Sequence, residues 1–142
     1  MKTEFHVRTA DFGRDGAAIR RIREMVFIHE QRVPAELEWD GLDEDAAHVL
    51  AELSNGTPVG TARLLVDGHI GRVAVLPAWR GLGVGTSLLK TLLDVAREQG
   101  QRRVFLGAQI PAIDFYERLG FMSYGEEFMD AGIAHRHMAR EL

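Results

Sequence analysis

The sequence holds no cysteine, only 4 prolines, 2 tyrosines and 2 tryptophans, and no apolar stretch of bilayer-spanning length. The missing cysteine excludes disulfides, thiolate zinc sites and a cysteine nucleophile together, and it suits a reducing cytoplasm. The missing apolar run argues against a membrane-spanning helix. Glu4, in the opening Met-Lys-Thr-Glu-Phe-His-Val, leaves no apolar core for a signal peptide, so a soluble cytoplasmic protein is expected. A basic surplus is missing too. Lys and Arg number 17 against 21 Asp and Glu, a net charge of −4, and no basic run occurs; nucleic acid is not an expected partner. What remains is globular composition, 46% hydrophobic and 27% charged over 142 residues. With no repeat or linker in view, residues 1–142 read as a single domain.

Residues 5–8 read as a short strand, and Asp15 is expected to cap a helix carrying Ile19, Ile22 and Met25 or Val26 on one face. Pro34 ends that region. Residues 34–45 are acidic and irregular, with Glu36, Glu38, Asp40, Asp43, Glu44 and Asp45 around Leu37, Trp39 and Leu42. This run is either a solvated loop anchored by Trp39 or a lure for a cationic acceptor. Its spacing does not follow a calcium loop.

Strands at residues 48–53 and 59–66 join across Asn55-Gly56, and Asp67-Gly68 turns into a third at 70–76. The period then changes. Leu88, Leu89, Leu92, Leu93 and Ala96 line one side of a helix that Gly100 closes. A strand at 104–106 follows, then a helix opened by Pro111, with Phe115 and Leu119 inward and Gly120 at its end. Strands at 121–124 and 135–139 flank Asp130-Ala131-Gly132. The unit from 70 to 106 is strand–helix–strand, which predicts a right-handed crossover and a parallel strand pair. The expected architecture is α/β: a mixed, mostly antiparallel central sheet with one parallel βαβ unit and flanking helices.

The informative segment is 73–86, Val-Ala-Val-Leu-Pro-Ala-Trp-Arg-Gly-Leu-Gly-Val-Gly-Thr, which joins a strand end to a helix start. Positions without side chains let main-chain N–H groups approach an anion, and the helix adds unpaired N–H groups and the positive end of its dipole. Arg80 offers a full charge beside them. Such a loop suits a pyrophosphate, although the same glycines also serve close helix–strand packing. The spacing fits neither a P-loop nor the dinucleotide fingerprint, since Leu88 stands where that fingerprint needs its third glycine.

Arg80, Gly83 and Gly85, after a Val-x-Val strand and before a leucine-rich helix, resemble the coenzyme A pyrophosphate loop of the GNAT superfamily of N-acyltransferases. Residues 109–121 resemble a second GNAT segment, in which Ala precedes Phe-Tyr and Gly-Phe closes the helix; Gln109 stands where the family usually has Asn. Residues 26–34, Glu38, Asp40, Asp43, His48 and residues 132–138 look like the YjcF/ElaA-like subgroup, so the resemblance runs from Val26 to Met138.

The resemblance implies an acetyl-CoA-dependent N-acetyltransferase that acylates a primary amine directly, uses no metal and often dimerises. It implies that the strand before the loop splays away from its parallel neighbour, which places Val73, Ala74 and Val75 along the pantetheine. It sets Arg80, Gly81, Leu82, Gly83, Val84, Gly85 and Thr86 around the pyrophosphate, with Gln109 nearby. Tyr116 stands at the family's general-acid position, where a phenol protonates the departing thiolate. For the general base, Glu38 is preferred among Glu30, Glu38, His135 and Glu127, each of which also reads as a solvated charge or a structural histidine. His135 and His137 share one strand face but lack a third metal ligand. An acyl-CoA sensor without chemistry and a nucleotide-phosphate binder are the alternatives.

Overall fold

A computed structural model describes residues 4–142. Strands β1 (Phe5–Ala10), β2 (Ala47–Leu53), β3 (Pro58–Leu64) and β4 (Ile70–Val75) form one antiparallel sheet in that order. Strands β5 (Arg103–Gln109), β6 (Met122–Asp130) and β7 (Ile133–Glu141) form a second, with β7 in the middle. Helix α1 (Phe12–Arg23) follows β1, and the short α2 (Ala35–Glu38) lies in the acidic stretch. Helix α3 (Val84–Glu98) links β4 to β5, and α4 (Ile113–Arg118) links β5 to β6.

Strand alternation decides which helix covers which face of the first sheet. Val49 and Ala51 of β2 pack with Leu88, Leu89, Leu92 and Leu93 of α3, while Leu50 between them packs with Ile19 and Ile22 of α1. The helices therefore sandwich the sheet. Each of those leucines is at most 3% exposed, and such burial is worth about 1.5–3 kcal/mol per side chain.

Three local expectations change. Asp11, not Asp15, caps α1: its extended backbone lets Oδ1 accept from the Gly13 and Arg14 amides at 2.8 and 3.1 Å. Asp15 instead sits in the first turn, takes both Nη groups of Arg8, and accepts from the Asp11 amide. Past α1 the chain widens into a π-helical segment, Glu24–Glu30, which turns Val26 inward and leaves Met25 43% exposed. In α4 the buried residue is Tyr116, whereas Phe115 and Leu119 pack only partly against the core.

Strands β4 and β5 part as the resemblance implies. They meet at a single parallel bridge, His69 with Phe105, next to a 3.1 Å hydrogen bond from the Phe105 amide to the Gly68 carbonyl. Beyond that point no ladder joins them among the described residues, so the expected mixed sheet is parted into two. The crossover through α3 still brings the strands side by side; they then diverge and leave a wedge.

The apex of the wedge is tight. Gly68 adopts φ +97°, and a Cβ there would lie 2.8 Å from the Arg103 carbonyl oxygen. Gly68→Ala is expected to cost about 1–3 kcal/mol through left-handed strain and overpacking against fixed backbone. Urea denaturation measures this, and an unchanged midpoint would show that the apex yields freely.

Candidate active site

The wedge opens toward the start of α3. Leu76 donates its amide to the Val59 carbonyl of β3, so alternation points the backbone groups of Val73 and Val75 the other way, into the gap. The Val75 carbonyl is taken by Arg80 Nε at 2.9 Å. A cleft of about 400 Å³ runs along this edge, lined by Val73, Ala74, Val75, Arg80, Gly81, Gly83, Val84, Gly85 and Thr86. Val26, Trp79, Ala112 and Phe115 wall it as well, none of which the loop motif singled out.

Gly81 and Gly83 hold φ values of +75° and +88°, and Gly83 is the residue from which the 15-residue α3 starts. Nothing lies within 4 Å of where a Cβ would stand on either glycine. No protein acceptor is found among the described residues for the amides from 81 to 86; the first amide of α3 to be bonded is Ser87, to the Gly83 carbonyl. Six open donors at a helix N-terminus form an anion cradle. A diphosphate fits the donors and the open space. Leu82 is 51% exposed and does not line the cleft.

Arg80 is not a free cation. Its Nη groups clasp the Glu30 carboxylate at 2.7 and 2.8 Å, so Arg80 ties the π-helical segment to the end of β4. The Arg80 hydrogen bonds hold the Glu30 carboxyl below its ordinary value. Glu30 lines neither cavity, and neither does the exposed Glu127, which removes both from the candidate bases.

A second cavity of about 390 Å³, lined by the start of β4 and by β5, shares Gln31, Val73, Ala112 and Tyr116 with the cleft. Tyr116 is therefore placed at the junction. Burial pushes its phenol up to about 12, so it keeps its proton at neutral pH. Gln109 faces this second cavity and not the cleft, with Nε2 donating to Gln31 Oε1 at 2.9 Å. His69, His135 and His137 also line it, and the latter two stack on Phe128 as the shared strand face implies.

Glu38 reaches this cavity too, but as a counter-ion. Its Oε2 accepts from Arg23 Nε at 2.7 Å and lies 3.2 Å from Arg72 Nε, a pair too poorly aimed to be a hydrogen bond. Arg23, fully buried, also donates to Asp43 at 2.6 Å and lies over the Trp39 ring. Arg63 binds both Asp43 and Asp40, and Arg72 joins Asp40 to the carbonyls of Leu37 and Glu38. Three guanidinium groups thus neutralise three carboxylates. Half of the acidic stretch, Glu38, Asp40 and Asp43, is drawn into this network, which Trp39 anchors, while Glu36, Glu44 and Asp45 stay exposed.

Arg72 was not visible as a site residue. It takes φ +51° at a bulge where the pairing of β3 with β4 slips, and nothing in the local sequence announces a left-handed arginine. No group of 3 or more metal-ligating side chains with metal geometry occurs among the described residues, and no helix is long and apolar enough to cross a membrane.

A parted sheet with an anion cradle at the helix start and a second cavity at the junction defines an acyl-CoA N-acyltransferase fold. Residues 9–142 match the acetyltransferase (GNAT) domain, and the chain belongs to this family of acetyltransferases. It is 38% identical over 124 residues to the uncharacterized N-acetyltransferase YjcF of Bacillus subtilis (strain 168), covering 84% of this chain and 88% of the relative. It is 36% identical over 133 residues to ElaA of Escherichia coli (strain K12), covering 88% and 86%. Among solved structures, Escherichia coli ElaA aligns with a TM-score of 0.84 at 30% identity, over 97% of this chain and 100% of that one. An acyl-CoA N-acyltransferase from Pseudomonas aeruginosa aligns with a TM-score of 0.85 at 30% identity, over 96% and 99%.

The charge network makes stability depend on pH in two windows. Burial works to raise the Asp40 and Asp43 carboxyls, but the arginine hydrogen bonds outweigh it and hold both low. Their stabilisation is complete above the unfolded carboxylate value of about 4 and is lost as pH falls below it. Burial also lowers His48, whose Nε2–H donates to the Asp43 carbonyl at 2.8 Å. The unfolded chain therefore takes up a proton below about pH 6.5 that the folded one refuses, giving an earlier and smaller loss. Unfolding free energies from urea titrations should be level from pH 7 to 8, decline below 6.5 and drop steeply under 4. Asp43→Asn should cost about 3–5 kcal/mol at pH 7 by leaving Arg23 and Arg63 short of a partner, and a loss under 1 kcal/mol would refute the buried network.

Proposed function

We propose that the chain transfers the acetyl group of acetyl-CoA directly to a primary amine of a small molecule or protein. The observation that carries this reading is the pair of cavities meeting at Val73 and Tyr116, one ending in the open amides of residues 81–86. The cosubstrate supplies an acetyl group already activated as a thioester. The amides of Gly81, Leu82, Gly83, Val84, Gly85 and Thr86 bind its diphosphate, with the α3 dipole behind them. Val73, Ala74 and Val75 present a strand edge to the pantetheine, and one N–H of Val73 or Val75 polarises the thioester carbonyl. Arg80 acts by bracing the loop through Glu30 and Val75.

Tyr116 is the proton donor. A phenol held near 12 stays protonated at working pH yet gives its proton to a thiolate that leaves without solvent to quench it. The absence of cysteine agrees with transfer that passes through no acyl-enzyme. A sensor without chemistry would leave the second cavity, with its imidazoles, unused. A cysteine-free chain acting on this cosubstrate belongs in the cytoplasm.

Gly83→Asp is expected to abolish acetyl-CoA binding, because a carboxylate would enter the open anion site and strain a left-handed position. Isothermal calorimetry tests this, and micromolar affinity in a folded variant would sink the cradle. Tyr116→Phe should leave that affinity within about threefold while lowering kcat roughly 100-fold in a thiol-release assay with an amine panel. Unchanged turnover would remove the phenol from the chemistry.

A further inference from the structure

Three imidazoles face the second cavity, and their settings differ. His69 stacks on Phe105 at 5.0 Å, at the closed apex where β4 and β5 meet. His137 pairs in register with Gly107, is exposed, and lies 4.2 Å from the Phe128 ring. His135 pairs in register with Gln109, at the open end of β5 where the chain turns toward α4 and Tyr116, and it is 9% exposed.

His135 Nδ1 lies 2.6 Å from the Ile133 carbonyl oxygen. A carbonyl only accepts, so this bond assigns the proton to Nδ1 and leaves the lone pair of the neutral ring on Nε2. Among the described residues no protein group bonds Nε2, and it is not sealed from solvent in a side chain that lines the cavity. Phe128 stacks 5.6 Å from the ring and fixes its plane. The result is a histidine held in one tautomer with its basic nitrogen free, opposite Gln109, which precedes the junction residue Ala112 by three positions.

We propose that His135 is the general base that deprotonates the acceptor ammonium, an inference that rests on the N-acetyltransferase reading. An N–H bond of the ammonium breaks as the Nε2–H bond forms. The electron pair left on the amine nitrogen becomes the nucleophile, and the imidazolium returns its proton to solvent at the cavity mouth. The other titratable or charged groups facing this space are Glu38 of α2, His69, Arg72 of β4, Tyr116 of α4, Asp130 of β6 and His137. Glu38 is committed to Arg23 and Arg72, and Tyr116 stays neutral, so neither competes for the ammonium proton.

The test uses the full chain, acetyl-CoA and a panel of primary amines, with thiol release followed from pH 6 to 10 for wild type, His135→Gln and His135→Asn. Both variants should bind acetyl-CoA within about threefold of wild type and lose roughly 100-fold in kcat/KM at pH 7. The deficit should shrink below about tenfold near pH 9.5, where an alkylamine supplies its own neutral form. Carbon and nitrogen NMR of labelled wild type should show the His135 proton on Nδ1. A His135→Gln variant with undiminished rate at pH 7, or a His135 ring protonated on Nε2, overturns the assignment. If both variants fail to fold, the tautomer measured on wild type decides. Wild type that binds acetyl-CoA but releases thiol to no amine overturns the N-acetyltransferase reading and the base with it; turnover undiminished in the variants overturns the base alone.

Discussion

A sheet normally spends its backbone groups on its own ladder, and the parting of β4 from β5 is the constraint on which this molecule's chemistry rests. The two strands are pinned at His69 and Phe105 and then diverge. The edge of β4 past that bridge has no neighbouring strand, so apart from the Val75 carbonyl, which Arg80 takes, no strand partner completes it at Val73 and Val75. Were the ladder continued, those groups would be satisfied internally and neither the cleft nor its junction with the second cavity would exist. Because α3 starts at the wide end of the same wedge, its unpaired amides close one end of the cleft, while Tyr116 lies where the two cavities join.

Charge fixes the segment that walls the second cavity against β4. Arg72 enters the bulge of β4 in a left-handed conformation and reaches the carbonyls of Leu37 and Glu38, which fastens the acceptor-side segment to the strand. Arg23 and Arg63 complete the bracing from α1 and β3. A buried network of this kind is poor as a source of net stability, since desolvation consumes most of the Coulomb energy. Its value lies in geometry: six groups whose partners are specified leave the 37–43 segment one place to sit. On the cofactor side the pair of Arg80 with Glu30 does the same for the π-helical segment, at a more exposed and weaker site.

Both pairings show why charged residues are hard to read one at a time. Glu36 to Asp45 has the composition of a solvated loop or an attractor for cations, and Arg80 has that of a phosphate ligand. The partners that change these readings stand far off in sequence, 50 residues from Arg80 to Glu30 and 15 from Arg23 to Glu38. Arg23 in particular looks like an ordinary solvent-facing residue at the end of an amphipathic helix. Nothing in its neighbours predicts complete burial, because burial is set by what folds over it.

Local physics wrote most of the fold into the chain. Period-2 and period-3.6 patterns, together with Asn55-Gly56, Asp67-Gly68 and Gly100, place the strands of the meander and the leucine face of α3, since those signals depend on neighbours a few residues apart. The glycines at 81, 83 and 85 announce the anion cradle for the same reason: missing side chains and a helix start are properties of a contiguous segment. What only the tertiary structure decided is where along their length β4 and β5 separate, which acids are neutralised, and that Glu38 is tied to Arg23 while His135 Nδ1 meets the Ile133 carbonyl. All but that last bond come from contacts between segments distant in the chain, where burial and pairing, not residue type, determine what a side chain can do.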